Sequence, residues 1–171
     1  MNERNKPFCE HYDMAMQGLT TTGLLLGSVD ADGKPNIMTI GWGTMGSIWG
    51  MSMWIVLVRP SRHTYKCIEH SGCFTVNVPA ASMAQACSIC GTKSGRDVNK
   101  FELCGLGVQK SEVIASPGVQ GCPVIYECQV VHRNDLDPHK LADEVINRAY
   151  KQGDYHRVYF GKVVNVRAEG V

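Results

Sequence analysis

Two β-prone runs flank Asp32-Gly33 in "TTTGLLLGSVDADGKPNIMTIGWG" (20–43), and Asp-Gly between such runs is a strong hairpin signal. The same alternation of strand and turn continues along the chain. "GMSMWIVLV" (50–58), "CFTVNVP" (73–79), "PVIYECQVVHRN" (123–134) and "HRVYFGKVVNVRA" (156–168) each have strand composition, which makes about six strands in all. Helical signals are short and irregularly placed. "RPSRHTYKCIEHSG" reads as a loop and a short helix stopped by Gly72, and "ASMAQACSIC" as a helix ending at Gly91. "DVNKFELCG" reads as a helix with Asp97 as its N-cap and Gly105 at its end, and "GTMGSIWG" as a glycine-rich loop. "DPHKLADEVINRAYKQG" (137–153) carries Leu141, Val145 and Ile146 at helical spacing, opened by a proline and closed by a glycine. Without regular β-α alternation a doubly wound sheet is a poor fit, and an antiparallel barrel with helical decorations fits better.

The chain of 171 residues suits a single domain, 1–171, with a sizeable core; 44% hydrophobic and 19% charged residues argue against disorder. A formal net charge of +1 without a long basic run lacks the positive face that nucleic acid requires. Apolar stretches such as "MSMWIVLV" fall well short of the roughly 20 residues that span a bilayer. The start, "MNERNKPFCEHYD", has no apolar leader core, so the expected location is the cytoplasm. The eight cysteines are then expected to stay reduced.

Four stretches could carry chemistry. In "RPSRHT" (59–64) two guanidiniums, two hydroxyls and the amides of a helix start converge, which suits a phosphate; the plainer reading is a solvated turn with Ser61 as a cap. "GTKSGRDVNK" (91–100) combines small residues with Lys93, Arg96 and Lys100, as an anion-gripping loop would, but lacks P-loop spacing and reads equally as an interhelix turn. Cys87-Ser-Ile-Cys90 is a C-x-x-C pair with no second pair and no strand directly before it; its default reading is two small buried side chains. Trp42 and Trp49 sit among glycines in "MTIGWGTMGSIWG", where they could line a flat ligand or simply fill core.

Taken together, "DGKPNIMTIGWG", "VRPSRHTYKCIEHSGCFTVNVP", "CGTKSGRDVNKF" and "DYHRVYFGKV" resemble the flavin reductase-like, FMN-binding split-barrel family, its flavoredoxin-like branch above all. The resemblance runs from about Leu24 to Val164, in the family's order. It implies a Greek-key split β-barrel and a homodimer with FMN near the subunit interface. It also implies that Asn36, Thr39 and Trp42, with Gly41 beside the tryptophan, line the flavin. Arg59, Ser61, Arg62 and Thr64 correspond to the phosphate grip, and Ser94, Gly95, Arg96, Asp97 and Lys100 to a second binding loop. Lys100 would lie near the flavin or its phosphate, and His156 would close over the ring.

The implied chemistry is hydride or electron transfer through FMN, with positive charge such as Lys100 favouring the reduced ring. No nicotinamide fingerprint is present, so NAD(P)H and a redox partner protein both stand as the electron donor. A non-catalytic flavin or haem barrel, and a cysteine-based redox or metal module, are the competing classes.

Overall fold

The computed structural model describes residues 6–170; the first five residues of the N-terminal stretch read above lie outside them. In chain order the elements are α1 (Lys6–Glu10), α2 (Tyr12–Thr20), β1 (Leu24–Val29), β2 (Pro35–Ile40), β3 (Gly43–Ile48) and β4 (Met51–Val58). Then come α3 (His63–Ser71), β5 (Cys73–Val78), α4 (Ala84–Thr92), α5 (Lys100–Leu103), β6 (Val108–Gln109) and β7 (Gly118–Val119). The chain closes with β8 (Val124–Asp135), α6 (Asp143–Ala149) and β9 (Arg157–Ala168).

Seven strands form one antiparallel sheet in the order β2-β1-β5-β8-β9-β4-β3, while β6 and β7 pair separately. The two edges of the sheet meet inside one core. Ile40 of β2 and Met45 of β3 join Leu24, Leu26, Trp54, Phe74, Tyr126 and Tyr159 in a single buried cluster. The sheet is therefore curled into a Greek-key split β-barrel, the expected fold class.

The β1–β2 hairpin turns where Asp32-Gly33 placed it, with Asp30 Oδ1 accepting from the amides of Asp32 and Lys34 and Gly33 at φ +77°. The 43–50 stretch is not a loop. It forms β3, and Trp49-Gly50 turns it tightly into β4, both residues having positive φ (54° and 69°). That combination matches a two-residue primed turn, in which the backbone twist suits the strands; the glycines and hydroxyls of β3 hid its strand character.

Three further expectations change. The cap of α5 is Asn99, whose Oδ1 accepts from the Phe101 and Glu102 amides, because the Asp97 and Val98 amides are already turned onto Ser94 O. The 137–153 stretch is not one helix. Asp137 caps a single tight turn at Pro138–Lys140, Leu141 and Ala142 are extended, and only Asp143–Ala149 is α-helical. Helices α1 and α2 carried no signal noted in the sequence; Ala15 and Leu19 bury one face of α2 against the barrel. Among the described residues no helix is long and apolar enough to cross a membrane.

Candidate functional site

The first turn of α3 and the loop after α4 face each other across a cavity of about 220 Å³. Arg62, Lys93, Arg96 and Lys100 line it together with Ser61, Thr64 and Ser94, and no carboxylate does. Four cations lining one cavity, with the nearest carboxylates, Asp154 and Asp30, set behind Ser61 and His63, are the donor set of an anion site. Two residues of this cavity, Met38 and Arg62, also line a neighbouring space of about 190 Å³, whose other walls are Thr39, Ile40, Gly41, Trp42, Leu57, Arg59 and His156. The two spaces therefore abut, one cationic and the other flat-walled and aromatic.

Each wall is held by contacts that the sequence brings from afar. Asn36 is buried behind the cationic cavity, donating from Nδ2 to Ser28 Oγ (3.0 Å) and Thr64 Oγ1 (2.9 Å), so it ties β2 to the start of α3. Gly95 packs directly on it: a Cβ there would collide with Asn36 Oδ1 and press on the His63 ring. Thr39 Oγ1 donates to the carbonyl of Cys87, joining β2 to α4. Arg96 Nη2 donates to Ser61 O at 2.9 Å, bridging the two loops.

Lys100 is 5% exposed, and its ammonium donates to the carbonyls of Cys90 (3.2 Å) and Lys93 (3.3 Å) at the end of α4. A cation at a helix C-terminus is favourable, and a lysine with two donors used has a third for a ligand. Burial, first of all, lowers its pKa.

Arg59 serves a different wall from Arg62. Its guanidinium donates to Asp154 O (2.9 Å), Ala149 O (3.0 Å) and Gly153 O (3.4 Å), and lies 5.2 Å over the Tyr150 ring. Ser61 Oγ donates to Asp154 Oδ2 at 2.6 Å. Together they fasten the 149–154 segment over the groove. His156 is buried there, its Nδ1 2.8 Å from the Tyr150 hydroxyl and its ring 5.0 Å from that of Trp42. Burial, with Arg59 next, pushes the His156 pKa down to about 4, so the ring is neutral at neutral pH. Trp42 remains 47% exposed.

Of the residues singled out in the sequence, Ser61, Arg62, Thr64, Ser94, Gly95, Arg96 and Lys100 share the cationic cavity, while Thr39, Gly41, Trp42, Arg59 and His156 share the aromatic one. Asn36 supports from behind, and Asp97 is exposed and lines neither. Met38, Leu57 and His63 were not singled out as site residues, and Lys93 was named only as part of the basic loop. His63 stands between motif positions, and only its basic surroundings hinted at a role. His63 Nδ1 is buried without a partner, and burial lowers its pKa, opposed by Asp30 and reinforced by Arg96, Lys100 and Lys66.

The C-x-x-C pair lies in this floor, with Cys90 among the residues that line the cationic cavity and Cys87 beneath. Cys87 and Cys90 are each 1% exposed among Leu25, Ile37, Phe101, Val119 and Ile125. Burial pushes the Cys90 thiol up to about 12, with Cys104 adding to it, and raises that of Cys87. Thiols held protonated are poor nucleophiles and poor metal ligands. Among the described residues no three His, Cys, Asp or Glu side chains converge on a metal-sized position.

The model of the flavin reductase-like domain family matches residues 16–170, nearly the whole chain. The chain belongs to that family. An uncharacterized protein of Archaeoglobus fulgidus is 31% identical over 108 residues, 63% of this chain, and the match spans 60% of that relative's length. Among solved structures, flavoredoxin from Methanosarcina acetivorans superposes with a TM-score of 0.68 at 25% identity, covering 86% of this chain and 69% of that one. Flavoredoxin of Desulfovibrio vulgaris (Miyazaki F) gives 0.69 at 22% identity over the same shares. An FMN-binding protein from Thermus thermophilus gives 0.68 at 19%, covering 85% and 69%. The family is one of flavin-related oxidoreductases, and the split barrel is the fold these structures share.

Proposed function

We propose that this protein binds FMN non-covalently and works as a flavin-dependent oxidoreductase. The observation that carries the reading is the acid-free cavity lined by Arg62, Lys93, Arg96 and Lys100, which opens onto the flat space beside Trp42 and His156. A phosphate beside an aromatic heterocycle is the ligand chemistry that fits both halves. The names of the Thermus thermophilus FMN-binding protein and of the two flavoredoxins support it.

When bound, FMN supplies hydride acceptance and transfer of one or two electrons. The chain's own residues do the rest. Arg62, Lys93 and Arg96 offer charged donors to a phosphate, and Lys100 keeps one N–H directed by the end of α4. Met38, Trp42 and Leu57 give the ring end its apolar walls. His156, neutral and held by Tyr150, adds an aromatic wall without adding charge. Arg59 keeps the 149–154 segment closed against that end. The donor is NAD(P)H or a redox partner protein, and the working unit is a homodimer.

The test is a visible absorption spectrum of protein loaded with FMN and passed through gel filtration, followed by anaerobic NADH or NADPH. One FMN retained per chain is expected. Bleaching by either nucleotide identifies a reductase, and retention without bleaching identifies a flavoprotein fed by a partner. Failure to retain FMN overturns the reading.

A further inference from the structure

A third cavity, about 390 Å³ and larger than either space above, opens between the barrel and the segment that returns to it. Its apolar walls are Leu57, Leu136, Val145 and Ala149, and the rings of Trp42 and Tyr150 close it. Trp42 and Leu57 also line the aromatic end of the groove, so the two spaces are neighbours with a common wall.

Two charges stand at the rim, Glu144 and Arg148, one helical turn apart on α6. They make no ion pair with each other or with any described residue. They stand at opposite ends of the helix. Arg148 is in the last turn, next to the Ala149 and Tyr150 walls, and Arg59 lies 5.2 Å over the Tyr150 ring; Glu144 is in the first turn, beside Asp143. A free guanidinium over a carbon-lined space is the arrangement that takes a flat carboxylate, its skeleton in the cavity and its head on the forked donors.

We propose that this cavity is a second ligand site, for a flat, largely apolar carboxylate such as an aromatic acid. Its position beside the flavin ring rests on the FMN reading, but its affinity for the acid does not.

The probe is 2-naphthoate, with the neutral 2-naphthamide as its comparison. Binding is measured by calorimetry on FMN-loaded and FMN-free protein. Val145→Trp fills the cavity from an exposed helix position, and Arg148→Gln removes the charge. Neither residue lines the FMN groove, so FMN titrations with both variants should match wild type. Val145→Trp should weaken naphthoate at least about tenfold. Arg148→Gln should weaken it about three- to tenfold and leave naphthamide unchanged, as a partly solvated charge pair predicts. If Val145→Trp fails to fold, the Arg148→Gln comparison decides alone. The proposal is overturned by absence of naphthoate binding at millimolar concentration, or by binding in both variants that is unchanged from wild type. Sedimentation showing that Val145→Trp breaks a dimer also overturns it, since a second copy then covers the cavity. Naphthoate binding that responds to these variants in a protein that does not bind FMN leaves this site standing and removes the flavin reading.

Discussion

The Lys100 ammonium lies 3.2 Å from the carbonyl oxygen of Cys90, so the basic half of "CSICGTKSGRDVNKF" is anchored on the backbone of its cysteine half. The thiols face the core while the carbonyls at the end of α4 hold the lysine at the cavity floor. Replacing Lys100 by Met keeps the aliphatic bulk and removes the charge. We expect a loss of roughly 1–3 kcal/mol of stability in the FMN-free protein, read by chemical denaturation, together with weaker FMN binding. Unchanged values of both would mean that the α4 end and the cavity do not depend on this cation.

Arg62 sits where the cationic and aromatic spaces meet. Arg62→Ala should weaken FMN binding by roughly 1.5–3 kcal/mol, the range for a charged hydrogen bond, and change riboflavin binding little. Flavin fluorescence titrations measure both. Equal losses for the two ligands would take Arg62 off the phosphate.

The double variant Cys87→Ser, Cys90→Ser should keep FMN. It should lose stability by roughly 1–3 kcal/mol per hydroxyl left without a partner in the apolar cluster around Phe101. Zinc or iron present stoichiometrically in wild type and absent from this variant would assign the stretch to metal chemistry instead.

His156 supplies a pH dependence. Burial and Arg59 lower its pKa from 6.5 to about 4, so the unfolded chain binds the proton more tightly than the folded one. Stability from this group is complete above pH 6.5 and falls as the pH drops toward 4, by roughly 3 kcal/mol over the window. His63 contributes in the same direction, so the quantity to measure is the difference between wild type and His156→Gln. Thermal melts of FMN-free protein between pH 7 and 5 should converge on those of the variant as the pH falls. Parallel curves would show that His156 does not titrate in this way.

Assembly can be tested through the exposed tip of the β3–β4 hairpin. Trp49 is 63% exposed and packs beside His132 (6.1 Å) and Phe160 (6.0 Å). Aromatic groups of this kind concentrate at interface centres. Tyr159 cannot take part: it is fully buried and its hydroxyl donates to Glu69. We expect a homodimer that dissociates on dilution, more readily without FMN, and more readily still in Trp49→Ser. Sedimentation across a dilution series measures this, and a monomer retaining stoichiometric FMN at high dilution would mean that each barrel binds its flavin alone.

The sequence by itself determined what local chemistry decides. Asp32-Gly33 marked the first hairpin, Gly72 ended α3 in a left-handed conformation at φ 65°, and apolar runs marked β4, β5, β8 and β9. The clustered cations in two short motifs suggested an anion site, though a solvated turn was the plainer reading of the first and an interhelix turn an equal reading of the second. Such signals survive because turns, caps and strand composition act over a few residues.

Tertiary structure decided which charges share a cavity and which are consumed in holding it. Arg59 and Arg62 stand in the same motif, yet Arg59 reaches about 90 residues along the chain to Ala149 and Asp154 while Arg62 keeps to the groove. Asn36 is matched with Thr64, Trp42 with His156, and Lys93 and His63 join the site only because the barrel brings α3 and the loop after α4 together. These pairings depend on how the curled sheet brings distant segments into contact. Burial, which sets the state of His156, Lys100 and Cys90, exists only once that contact is made.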